Sequence, residues 1–144
     1  INKSARPNDY SELESMATSI SAKSMILSGS LVLVFVIYHL LHFTLHITNP
    51  ELGSLVDSQG RFDVYKMIVI GFSDVTVSIV YIVAMILLGL HLNHGISSLF
   101  QTLGIANYAE NTALKKVGSL LAFLISVGFI SIPLSVIAGL LKLP

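Results

Sequence analysis

All five histidines of this 144-residue chain lie in two short stretches. The first reads His39-Leu40-Leu41-His42-Phe43-Thr44-Leu45-His46, the second His91-Leu92-Asn93-His94. On a helix, His39, His42 and His46 recur at i, i+3 and i+7 and share a face, as do His91 and His94. Imidazole ligates Zn, Cu, Ni and iron. No carboxylate stands at ligand spacing beside these residues. The chain has no Cys, which excludes thiolate metal sites, iron–sulfur clusters, disulfides and covalent c-type haem. Bis-imidazole ligation of a non-covalent b-type haem needs one His from each of two helices and an apolar slot. The surrounding Leu, Val, Ile and Phe offer that slot. The plainer alternative is a neutral His that hydrogen-bonds a neighbouring helix.

Composition says where these histidines sit. Hydrophobic residues make up 53% of the chain and charged residues 11%, with a net charge of zero; the mean hydropathy is +0.82. Soluble domains carry about 25% charged residues. A surface this poor in charge belongs in lipid, and the charge balance gives no footprint for nucleic acid. Three apolar runs, 25–47, 67–92 and 117–141, each exceed the ~20 residues that a helix needs to cross ~30 Å of hydrocarbon. The expected fold is all-α, a transmembrane helical bundle with three spans. An interfacial segment with a short helix covers 1–23, spans cover 24–48, 64–100 and 115–143, and an outer loop (49–63) and a cytoplasmic connection (101–114) join them.

Local signals fill in the connections. Arg6, Pro7, Asn8 and Asp9 read as a turn, Ser11 and Glu14 as a capping box. Asn49-Pro50, Gly53 and Ser58-Gln59-Gly60 are turn chemistry. The connection near 104–116 is polar enough for a short surface helix. Pro133 should kink the third span, with Ser131 or Ser135 satisfying the freed backbone. Lys3, Arg6, Lys23, Lys115 and Lys116 on one side against Arg61, Lys66 and Lys142 on the other orient the N-terminus and the second connection to the cytoplasm. No signal-peptide pattern opens the sequence.

Depth limits what the histidines can share. His39 is about 14 residues into the first span, ~21 Å from its starting side, and His91 is about 24 residues along the returning second span. Their depths differ by ~15–20 Å, too far for one iron, whose axial nitrogens lie a few ångströms apart. If both are haem ligands there are two haems, each needing a second His from another helix.

These residues resemble the di-haem cytochrome b membrane anchor of succinate dehydrogenase and fumarate reductase, the respiratory complex II family, in its single-polypeptide five-span type. The matching pieces are Ser28-Gly29, Phe35-Val36-Ile37-Tyr38-His39-Leu40, Gly71-Phe72, Tyr81-Ile82-Val83, Gly89-Leu90-His91-Leu92-Asn93-His94-Gly95, Ser97-Ser98 and Phe100-Gln101-Thr102-Leu103-Gly104. Arg6-Pro7 to Tyr10 also resembles the approach to that family's third span. The resemblance implies that the spans here are the third to fifth of a longer subunit, with the first two absent. It makes His39 the ligand of the haem distal from the cytoplasm and His91 that of the proximal one. It implies electron transfer through two b haems between an iron–sulfur subunit and menaquinone or another quinone. That iron–sulfur subunit and a flavoprotein subunit dock on the cytoplasmic face. The location implied is the inner membrane of a prokaryote, multi-pass, and this subunit does not itself catalyse succinate chemistry. Lys23, His42, His46, His94 and Gln101 are candidates for haem propionates or a quinone carbonyl, against ordinary interfacial roles.

Other residues are read more plainly. Asp74, near the outer interface, is a cap or local hydrogen-bond partner rather than a proton-pathway carboxylate. Tyr10, Tyr38, Tyr65 and Tyr81 are packing residues or interface anchors. The competing functions are a proton or ion transporter with a His relay, which should show broken helices and mid-depth carboxylates, and a haem-free structural anchor.

Overall fold

The computed structural model of the protein describes residues 20–104 and 112–143. The expected turn near Arg6 and the capping box at Ser11 and Glu14 lie outside these residues, as does Tyr10. So does most of the connection expected to carry a surface helix. Helix α1 (Ile20–His39) runs into a π-helical turn (Leu40–Thr44). A 3-10 turn (Pro50–Ser54), α2 (Val64–Gly71), α3 (Val75–Thr102) and α4 (Thr112–Ile137) follow. Among the described residues the sole β pairing is one bridge between Val56 and Phe62. Three stretches are long and apolar enough to cross a membrane: Met25–Thr44, Val75–Phe100 and Lys115–Ile137, of 20, 26 and 23 residues. At 1.5 Å per residue even the shortest reaches ~30 Å. The chain is an all-α membrane protein, and helices suit lipid because each satisfies its own backbone polar groups.

Helix α3 is the centre, with α1 and α4 both packed against it. Small residues let α3 and α4 approach, since association in lipid relies on close packing rather than on burial from water. Gly89 of α3 lies against Ser126 of α4, where any Cβ would collide with the Ser126 hydroxyl, and that hydroxyl donates to the Ala122 carbonyl at 2.9 Å. Helix α1 is the least covered span: Leu27, Leu31, Leu33, Val34 and Ile37 are all exposed.

The core sits at the end where α2 joins the spans. Val69, Phe72, Tyr81 and Val136 are buried together, with Phe35, Tyr38, Phe43 and Ile132 packed on them. The Tyr65 hydroxyl donates to the Lys142 carbonyl at 2.8 Å, tying the start of α2 to the chain beyond α4. This is the Arg61, Lys66 and Lys142 side of the molecule, the outer end in the orientation read from the charges. In the loop before α2, the Asp57 carboxylate accepts the backbone N–H groups of Gln59 at 2.8 Å and Arg61 at 2.9 Å. It also pairs with the Arg61 guanidinium at 2.8 Å.

The stretch 64–100, expected as one helix, is two. Helix α2 stops at Gly71 and α3 starts at Val75. The Asp74 carboxylate accepts the backbone N–H groups of Thr76 at 2.7 Å and Val77 at 3.3 Å, an N-cap for α3. The Ser73 hydroxyl donates to the Val69 carbonyl at 2.6 Å and the Ser78 hydroxyl to the Phe72 carbonyl at 2.8 Å. Asp and Ser compete with helical hydrogen bonding in this way. Hydropathy does not register the break, because apolar residues continue on both sides of it. Asp74 thus has a structural role.

The Thr76 N–H, followed by that of Val77, holds the Asp74 carboxyl below the usual carboxylate range. A depressed folded-state value means that the stabilisation is present above the unfolded-state pKa and is lost as pH falls through the folded one. Acidification below the ordinary carboxylate range, or Asp74→Ala at neutral pH, is therefore expected to speed amide hydrogen exchange at Thr76 and Val77, with mid-α3 amides unchanged. Unaltered exchange at both amides in the alanine variant would remove the cap assignment.

The other two spans also end differently from expectation. The first was expected to reach 48, but its helical part stops at Thr44. The Leu45 N–H donates to the Leu40 carbonyl at 2.7 Å and the Ile47 N–H to the Leu41 carbonyl at 2.8 Å, so the ladder widens and closes. His46 takes a left-handed φ of 52°, uncommon for a residue with a Cβ. The third span, expected over 115–143, is helical to Ile137, and Gly139 turns the chain with a φ of 67°. Pro133 is buried inside α4. The Ser131 and Ser135 hydroxyls donate to the Gly128 carbonyl at 2.6 Å and the Ser131 carbonyl at 2.7 Å. Neither takes the Phe129 carbonyl, which Pro133 leaves without its helical donor.

Candidate functional site

The histidines form an outer and an inner centre. At the outer centre the π-helical turn rotates His42 inward, and its ring is fully buried. His42 Nδ1 lies 3.0 Å from the Tyr81 hydroxyl, a bond from the π-helical turn to α3. The His42 ring is 4.1 Å from Phe43 and 5.6 Å from Tyr38, centroid to centroid. Tyr81 meets Phe35 and Phe72 edge-on, each at 5.0 Å. This polar pair is satisfied within an aromatic box, as a buried polar group must be.

His39, one turn earlier, is exposed. Its ring lies about 6 Å from those of Phe35, Phe43 and Tyr81. Among the described residues it has no hydrogen-bond partner. It stands in the wall of an apolar cavity of about 460 Å³ lined also by Phe43, Phe72, Met85, Phe129 and Ile132. His46, expected on the same face, is instead in the loop, with Nε2 3.4 Å from Met67 Sδ. Its ring is 5.7 Å from Phe62 and close over Gly53. The structure therefore joins His39 and His42 to Tyr81 and separates His46 from them. His42 is engaged by Tyr81, so its imidazole does not open into the cavity.

At the inner centre His91 is half-buried against α1. Its Nδ1 lies 3.1 Å from the Ser28 hydroxyl. A Cβ on Gly29 would come within 3.2 Å of His91 Cε1, so the missing side chain is what admits the ring. His94 is exposed one turn further along. Asn93 Oδ1 accepts from the Ser119 hydroxyl at 2.8 Å, a bond from α3 to α4. The side chains of Lys23 and Gln101 lie outside those described.

Ser28 and His39 are eleven residues apart on α1. The contact of His91 with Ser28 therefore puts the two histidine centres ~16 Å apart along the helix axis. His39 offers an imidazole in the wall of an apolar cavity, and His91 one that is half-buried against Ser28 and Gly29. Among the described residues no three His, Asp or Glu converge as ligands for a bare metal ion. This donor set fits half of a bis-imidazole haem site at each level: one ring, a sterically relieved or open approach, and no competing carboxylate. It does not form a continuous His relay, because His46 leaves the row and His42 is held by Tyr81.

Sequence reasoning missed two partners, Tyr81 for His42 and Ser28 for His91. Tyr81 was read as packing, which it also does, but its hydroxyl bond spans 39 residues. The small pair Ser28-Gly29 at the depth of His91 was the available signal for the second. No family model, curated protein or solved structure matches the chain.

Proposed function

We propose that this chain is part of the membrane cytochrome b subunit of a succinate:quinone oxidoreductase, a non-catalytic electron-transfer subunit of respiratory complex II type. The observation that carries the reading is a single imidazole at each of two levels ~16 Å apart on the helix rise, His39 in the wall of an apolar cavity and His91 half-buried against Ser28 and Gly29. Bound b haem would supply one-electron redox chemistry at each level. His39 and His91 are the residues that would hold it. Phe35, Phe43, Phe72 and Met85 exclude water around His39, which sets the local polarity and with it the potential. Gly29 makes room for the His91 ring. A second imidazole at each level would come from helices other than these three.

On this reading the chain lies in the inner membrane of a prokaryote. A flavoprotein and an iron–sulfur subunit dock on the cytoplasmic face, and menaquinone or another quinone exchanges electrons with it. Lys23, His42, His46, His94 and Gln101 stand as candidates for propionate or quinone contacts. The engagement of His42 by Tyr81 makes it the weakest of these. The test is a reduced-minus-oxidised spectrum with a pyridine haemochrome assay on the intact purified complex. A b-type signal close to two haems per subunit is expected. A folded, intact complex without haem would sink the reading and bring a proton or ion transporter or a haem-free anchor forward.

A further inference from the structure

We propose that Ser28 is a positioning residue that fixes the tautomer of His91, holding the proton on Nδ1 and leaving Nε2 bare as the ligating nitrogen. Only the identity of what Nε2 binds rests on the electron-transfer reading; the tautomer follows from the contact itself.

The Ser28 hydroxyl lies 3.1 Å from His91 Nδ1 and 3.2 Å from the Met25 carbonyl. A serine hydroxyl has one proton to give and lone pairs to receive with, whereas a carbonyl only receives. Two arrangements are open. In the first, Ser28 donates to the Met25 carbonyl and accepts from His91 Nδ1–H, so both short contacts are hydrogen bonds. In the second, Ser28 donates to a bare Nδ1, its contact with the Met25 carbonyl brings lone pair against lone pair, and the proton sits on Nε2. Among the described residues no acceptor faces His91 Nε2, so nothing there replaces the bond lost to the Met25 carbonyl. The first arrangement keeps one more hydrogen bond, and polar groups packed between helices favour the arrangement that satisfies more of them. Gly29 adds the steric half of the device. The His91 Cε1 edge beds on α1 where a Cβ would come within 3.2 Å, so the absent side chain lets the ring come close enough to reach Ser28.

The consequence is chemical. A free histidine side chain in water favours the proton on Nε2, the opposite tautomer. Ligating histidines need a second partner that holds the other ring N–H, which orients the ring and raises its basicity. At the His91 centre that partner is a hydroxyl relayed to a main-chain carbonyl. No carboxylate is involved, so the orientation adds no buried charge.

The test uses the intact complex with 15N-labelled histidine in lipid nanodiscs at mildly alkaline pH, before and after haem is added. In the wild type, His91 is expected to show a protonated, pyrrole-type Nδ1 and a bare, pyridine-type Nε2. Ser28→Ala should move the proton to Nε2, and Ser28→Thr, which keeps the hydroxyl, should restore the wild-type pattern. Haem affinity at the His91 centre should fall about 10–100-fold in Ser28→Ala and return with threonine. A wild-type His91 protonated on Nε2, or a tautomer that Ser28→Ala leaves unchanged, overturns the proposal. If the tautomer follows Ser28 but the intact complex binds no haem, the electron-transfer reading falls while the role of Ser28 stands.

Discussion

His91→Ala in the intact complex is expected to remove one of two b-type signals and leave the other, and His39→Ala to do the converse. Each variant should retain about half of the wild-type haem, and the retained half should differ in spectrum and potential between them. The reason is distance. His91 touches α1 at Ser28, and eleven residues separate that point from His39, ~16 Å at the helical rise. A single iron would need both nitrogens within a few ångströms of each other, so the two rings would serve separate centres. They also differ in support: His91 has a hydroxyl on Nδ1, whereas His39 stands among Phe35, Phe43 and Tyr81. Loss of both signals from one substitution in a complex that keeps its unfolding midpoint would contradict two independent centres. Retention of both signals in both variants would show that neither residue is a ligand. External imidazole offered to His91→Gly should recover the lost signal, which separates ligation from a packing defect.

This result turns on residues whose placement was unevenly legible in the sequence. The three spans were readable because ~20 apolar residues in a row have few alternatives to crossing a bilayer. The depth difference between His39 and His91 followed from the same rise per residue. What hydropathy could not read was anything decided by one or two polar atoms. Ser73 and Asp74 end one helix and cap the next inside a run that stays apolar. The π-helical turn widens the ladder by one residue between His39 and His46, and that shift puts His42 inside and His46 in a loop. A strict 3.6-residue period keeps all three on one face, and that period is the only information that spacing carries. The bonds from His42 to Tyr81 and from His91 to Ser28 connect positions 39 and 63 residues apart. No local pattern encodes such pairings. They appear only once α1 and α3 are laid side by side.

The outer centre makes the second large effect, and the sign of Gly71→Ala shows how the packing there works. Alanine is the better helix former by roughly 0.5–1 kcal/mol, so on propensity alone this change in α2 should stabilise. The structure opposes it. A Cβ at Gly71 would lie 2.6 Å from Cε1 and 2.8 Å from Cζ of Phe43, distances that real contacts do not sustain. Phe43 can retreat only toward the cavity it lines, because its ring lies 4.1 Å from the buried His42 ring, tilted by 35°, and 5.1 Å from Phe72. Overpacking of this kind costs about 1–3 kcal/mol, so it outweighs propensity, and a net loss on the order of 1–2 kcal/mol is expected in a denaturant titration. Gly128→Ala is the matched control. Its Cβ would meet nothing within 4 Å, and it should be neutral or stabilising by up to about 1 kcal/mol. The effect of Gly71→Ala should also reach the histidines: displacing Phe43 pushes on His42, and the 3.0 Å bond to Tyr81 lengthens. Tyr81→Phe already removes that bond at a cost of about 1–2 kcal/mol, so the double variant should lose less than the sum of the two single losses. Fully additive losses would mean that Gly71 and the His42–Tyr81 pair act independently, and that the aromatic box is not the single unit described above.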